Sequence, residues 1–91
     1  MLLMVIERFK QGPAPVGERW RKQGRMMPEG VEYLASWLTP DGQTCFQLMQ
    51  AESPEALAPW MERWADLAEF EVTPVLTSKD FWASIGQETG Q

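Results

Sequence analysis

The sequence predicts a two-layer α+β domain in which a four-stranded antiparallel sheet carries two helices on one side. The order of periodicities is strand, helix, strand, strand, helix, strand, and two of the strand segments, Leu2 to Phe9 and Val31 to Leu38, are apolar on both faces. At 91 residues the chain has material for one core and two helices of useful length. Two helices cover one side of such a sheet. The other side needs a second cover, most economically another copy of the same surface.

Each element has its own justification. In the first segment Leu3, Val5, Glu7 and Phe9 share one side, and Leu2, Met4, Ile6 and Arg8 the other. Gly12, Pro13 and Pro15 break it. From about Pro15 to Met26 the spacing turns helical, with Val16, Trp20 and Met27 on one face. Gly17 and Gly24 each cost about 1 kcal/mol relative to Ala in that helix, and close packing on a sheet is the expected reason to keep them. Pro28, Glu29 and Gly30 turn the chain into the second strand. Pro40-Asp41-Gly42 closes a hairpin, because Pro presets φ and Gly accepts the left-handed position. Thr44 to Ala51 returns as the third strand, with Phe46 and Leu48 expected beneath the helices and Cys45, Gln47 and Met49 on the uncovered side. Ser53-Pro54 opens the second helix, whose apolar face is Leu57, Trp60, Met61, Trp64 and Ala68. Pro59 either kinks that helix or marks its true start. Phe70 to Leu76 is the fourth strand, and Pro74 confines it to an edge or a bulge. Thr77 and Asp80 form a capping box ahead of Phe81, Trp82 and Ile85, a short helical turn expected to pack over a partner. The domain is read as residues 1–85, and residues 86–91 as a disordered tail. This order is the split βαβ arrangement of ferredoxin-like folds, with sheet order 4-1-3-2, which sets the fourth strand at an edge where Pro74 is tolerated.

Composition narrows the function by exclusion. The chain has no histidine, so a Ser-His-Asp triad, a Cys-His pair, His-ligated haem and His-based zinc sites are ruled out. Its one cysteine, Cys45, forms no intramolecular disulfide and fits a reducing compartment. The MLLMVI run ends at Glu7 and is too short for a signal-peptide core or a bilayer span, so a cytoplasmic location is expected, with no membrane partner. Net charge is −5, but residues 1–27 carry six basic and two acidic side chains. Arg19, Arg21, Lys22 and Arg25 are read as a solvated helix face and not as a nucleic-acid site, because the acidic remainder repels a polyanion.

Three motifs carry a family resemblance: M-V-I-E-R-F at Met4 to Phe9, R-M-M-P-E-G-V-E-Y-L-A-S-W at Arg25 to Trp37, and P-V-L-T-S-K-D-F-W at Pro74 to Trp82. In that order they resemble the domain-of-unknown-function family 3303 of small bacterial proteins, over residues 2 to about 83. The resemblance implies a ferredoxin-like fold pairing as a dimeric α/β barrel, the architecture also used by muconolactone isomerases and small antibiotic-biosynthesis monooxygenases. It implies no reaction.

If two sheets face one another, the side away from the helices becomes an interior, to which alternation assigns Val5, Glu7, Tyr33, Trp37, Cys45, Gln47, Met49, Glu71 and Thr73. Glu7 and Glu71 are the candidate catalytic pair, since neighbouring carboxylates sharing a proton can act as general acid and base; the competing reading leaves both at the wet rim of the sheet. Tyr33, Trp37, Cys45, Gln47 and Met49 are the candidate ligand contacts, against a reading in which the aromatics only pack and Cys45 is a small buried side chain. Arg8 and Arg63 are candidates to clamp a ligand carboxylate, against surface ion pairing. The expectation is a homodimer binding a small apolar or aromatic molecule between its sheets, with isomerase- or monooxygenase-like chemistry that needs no cofactor or metal. Its rival is a non-catalytic dimeric module whose interior is filled by side chains.

Overall fold

Alternation makes Leu2–Phe9 the strand β1 in the computed structural model, which describes residues 1–86. The chain continues as helix α1 (Pro13–Gln23), strand β2 (Glu32–Leu38), strand β3 (Thr44–Gln50), a 3₁₀ turn (Pro54–Leu57), helix α2 (Ala58–Trp64), strand β4 (Ala68–Val75) and helix α3 (Ser78–Ser84). The strands form one sheet in the order β2-β3-β1-β4, every neighbouring pair antiparallel, which is the expected order counted from its other edge. Pro74 lies in edge strand β4. The expected tail, beyond Gly86, lies outside the described residues. Among the described residues no helix is long and apolar enough to cross a membrane.

Local chemistry explains where the helices begin and end. Pro13 and Pro15 both fit the first turn of α1, where backbone N–H groups have no intrahelical acceptor. The last turn closes with the Gly24 N–H on the Trp20 carbonyl at 2.7 Å, and the Gly24 φ of 69° then turns the chain out of the helix. Pro59 marks the true start of α2 after the 3₁₀ turn and does not kink it. Thr77 Oγ1 accepts from the Asp80 N–H at 3.0 Å, the expected cap of α3.

The faces of the sheet differ from expectation, and register shows why. Leu3 lies opposite Met49, Val5 opposite Gln47 and Glu7 opposite Cys45, so these six side chains share one face. That face is the one the helices cover. Leu3, Val5, Met49 and Leu57 are fully buried and pack with Trp60, Trp64 and Leu67. Burying each such side chain contributes about 1.5–3 kcal/mol. Phe46 and Leu48 therefore belong to the open face with Met4 and Ile6, the reverse of the expected assignment. β3 is apolar on both sides, and its alternation names two faces without saying which one meets Trp60 and Trp64.

A bulge corrects β2 as well. The register slips between Tyr33, opposite Met49, and Ala35, opposite Leu48, so Trp37 ends opposite Phe46. One inserted residue reverses parity. Tyr33 is thus on the helix side and Trp37 on the open side, although they are an even number of residues apart. Glu71 and Thr73 also lie on the open side, because they face Ile6 and Met4 across the β1–β4 pair.

The hairpin between β2 and β3 follows its sequence. The Asp41 carboxylate accepts from Thr39 Oγ1 at 2.7 Å and from the Gln43 N–H at 3.0 Å, and these bonds hold it below the usual carboxylate range. Gly42 sits at φ 72°, and a Cβ there would lie 3.1 Å from Pro13 Cγ at the start of α1. Gly42→Ala is expected to destabilise the protein by roughly 1–3 kcal/mol through left-handed strain and displacement of Pro13. A lower urea midpoint at unchanged denaturant slope is the readout, and an unchanged midpoint contradicts the account.

Candidate functional site

A cleft of about 280 Å³ opens between α1 and the helix-covered face of the sheet. Its floor is polar where three strands meet. Glu7 comes from β1, Cys45 and Gln47 from β3 and Ser36 from β2. Aromatic and apolar groups form the walls, with Val16 and Trp20 from α1 and Trp60 and Trp64 from α2. Gly17 also lines it, and an added Cβ there would meet nothing within 4 Å. The expected close packing at Gly17 is therefore absent, and the glycine leaves open space at the cleft.

Glu7 is the unusual group. It is only 7% exposed, and its Oε2 is buried without a hydrogen-bond partner in the structure. Burial pushes its carboxyl up to about 7, against the smaller opposing effects of the Cys45 thiol and the Arg25 charge. At neutral pH the acid and its conjugate base are both present. Burial, together with the adjoining Glu7 carboxyl, pushes the Cys45 thiol up to about 12. Cys45 therefore stays a thiol in the physiological range and has no nucleophilic character.

The cleft is braced by polar ties between layers. Arg19 on α1 grips Asp66 after α2 with two bonds of 2.7 and 2.6 Å and holds that carboxyl below its ordinary range. The Trp64 indole donates to the Arg25 carbonyl at 3.1 Å, and Arg63 donates to the carbonyl of Met26. The loop after α1 is thereby pinned to α2. Within it the Arg25 guanidinium lies 3.7 Å from the centre of the Tyr33 ring and 5.8 Å from that of Trp20.

Of the side chains singled out in the sequence, Glu7, Cys45 and Gln47 meet at this cleft. Met49 is fully buried below it, and the Gln47 amide donates to its sulfur at 3.5 Å. Tyr33 holds Ser36 through a 2.7 Å hydroxyl contact and supports Arg25 from beneath. Trp37 is 55% exposed on the opposite face. Glu7 and Glu71 are not a pair, since Glu7 faces Phe70 across the sheet and Glu71 instead meets Arg8 at 3.5 Å on the open side. Adjacent positions of one strand point to opposite faces, and that parity separates the two carboxylates. Neither Arg8 nor Arg63 lines the cleft.

The residues that sequence reasoning missed are Trp20, Trp60, Trp64, Ser36 and Arg25. The tryptophans were visible as helical apolar faces, but such faces ordinarily mean core. Arg25 was hidden in a basic run, its only distinguishing mark being its place just after Gly24.

A family model described as Domain of unknown function (DUF3303) matches residues 1–88. No curated protein and no solved structure matches the chain.

Proposed function

We propose, from the premise that the chain belongs to the DUF3303 family and that this family assigns no reaction, that the protein binds a small, largely apolar molecule in the cleft beneath α1 and moves a proton on it with Glu7. The observation that carries this reading is the Glu7 carboxyl, buried, lacking a partner at Oε2 and set on the floor of an aromatic-walled cleft. A carboxyl with a pKa of about 7 suits proton transfer in both directions, because as a base it takes a proton from a carbon next to a carbonyl, and as an acid it returns the proton elsewhere. That is isomerase-like chemistry done with one side chain. The cleft volume of about 280 Å³ lies at the small end of ordinary ligand sites and suits a molecule of one or two rings.

The same reading takes the protein as a cytoplasmic homodimer. What supports the dimer is the open face, where Met4, Ile6, Phe46, Leu48 and Trp37 lie together with no helix over them. Phe81 and Trp82 on α3, exposed and in edge-to-face contact at 5.0 Å, extend that apolar surface to the partner. The ligand site then lies within each chain, on the far side of the sheet from the partner.

A thermal-shift screen of aromatic acids, lactones and quinones tests the binding, since a ligand of the folded state raises the melting temperature. Any binder with exchangeable α-hydrogens is then followed by NMR in deuterium oxide. The expected result is exchange by the wild type and a loss of about 100-fold or more in Glu7→Gln with binding retained. A binder that exchanges equally fast on Glu7→Gln removes the proton-transfer role, and a panel without binders favours the non-catalytic module.

A further inference from the structure

We propose that the cleft selects a small planar organic monoanion, with its carboxylate or equivalent oxyanion held by Arg25; this rests on the cleft being the ligand site. Arg25 is the one cation that lines the cleft among the described residues. It makes no salt bridge among them, whereas Arg19 pairs with Asp66 and Lys22 with Glu18; Arg21 is also unpaired but does not line the cleft. Glu7, the acidic side chain in the same cleft, acts on it only through space and forms no salt bridge with it, so the guanidinium on this apolar cleft is a site for an anion.

The geometry narrows the anion further. Stacking on Tyr33 at 3.7 Å occupies a face of the guanidinium and leaves its in-plane N–H groups, the fork that suits a carboxylate. The Trp64 and Arg63 bonds to the carbonyls of Arg25 and Met26 fix the loop before any ligand arrives. Trp20, Trp60 and Trp64 are walls for a flat molecule. On the floor, the Glu7 carboxyl offers the second polar contact. A second negative charge on the ligand has no cation to meet and would face Glu7, so the cleft takes one charge. The net charge of −5 does not oppose this, because charges farther than about 8–10 Å are largely screened at physiological salt.

Benzoate and benzamide have nearly the same shape and differ in charge, which makes them the probe pair. Their affinities for the full chain are read by tryptophan fluorescence and calorimetry, on the wild type, Arg25→Gln and Arg25→Lys. The wild type is expected to prefer benzoate by about 10- to 100-fold, as a charge-assisted contact should. Arg25→Gln is expected to abolish the preference by weakening benzoate far more than benzamide, and Arg25→Lys to keep part of it. Equal or tighter binding of benzamide by the wild type overturns the anion selectivity and leaves the cleft standing as a ligand site. A preference for benzoate that survives in Arg25→Gln overturns the role of Arg25. Binding of neither probe at about 10 mM overturns both the selectivity and the site.

Discussion

Glu7→Gln is expected to stabilise the folded protein by about 3 kcal/mol at pH 8 while abolishing proton transfer in the cleft. The carboxyl rises from 4.5 in the unfolded chain to about 7 in the folded one, and each unit is worth about 1.4 kcal/mol. A raised carboxyl means that the folded state holds the proton more tightly. Its contribution is fully present below pH 4.5, declines as pH rises, and is gone above pH 7, where folding must bury an ionised group. Glutamine is uncharged at every pH and escapes that loss. The Arg25 charge only partly offsets the effect of burial on Glu7, and the Cys45 thiol, at about 12, does not ionise in the window, so the sign stands. Urea unfolding of both proteins at equal concentration should give similar stabilities near pH 4.5 and a gap that widens to pH 8, worth roughly 12–20 °C in melting temperature for a domain of this size. A gap that does not vary with pH would mean that Glu7 is not the titrating group. The pairing of lost chemistry with gained stability separates a functional carboxylate from a structural one.

The same residue shows how far the sequence reaches. Strand, helix and turn positions follow from local rules, because Pro13, Pro54, Pro59, Gly42 and Thr77 act on their own stretches of backbone. Sheet order follows too, since Pro74 admits only an edge. Facing does not follow from local rules. β1 and β3 are apolar on both sides, and the side that becomes core is decided by where Leu57, Trp60 and Trp64 land, a tertiary fact. Alternation grouped Glu7, Cys45 and Gln47 correctly as one face, so three of the four polar floor residues were legible although they were assigned to the wrong layer. The bulge after Tyr33 carries no Gly or Pro to announce it, and it moved Trp37 away from the site. Arg25 is illegible for a different reason. Its role depends on lining the cleft without a salt bridge of its own, and only the folded arrangement separates it from Arg19 and Lys22, which pair with Asp66 and Glu18.

Leu48→Glu is expected to convert the proposed homodimer into a folded monomer that keeps the cleft's binding. Leu48 lies on the open face between Met4 of β1 and Ala35 of β2, on the opposite side of the sheet from Met49 and the helices. In a single chain the glutamate reaches water from that face, so the fold tolerates it. Between two copies it becomes a buried charge with no partner on either side of a two-fold axis, which costs about 3–5 kcal/mol per site. Both copies carry the substitution, so the dimer's dissociation constant should rise by well over 100-fold. Sedimentation velocity at micromolar protein distinguishes the species, and circular dichroism checks that the variant is folded. Cleft binding, measured by tryptophan fluorescence, should persist because Glu7, Arg25 and the three tryptophans all belong to one chain. A wild type that sediments as a monomer ends the dimer reading and leaves the cleft untouched. Loss of cleft binding in a folded Leu48→Glu monomer would instead tie the two faces together through β3, whose alternate side chains serve both.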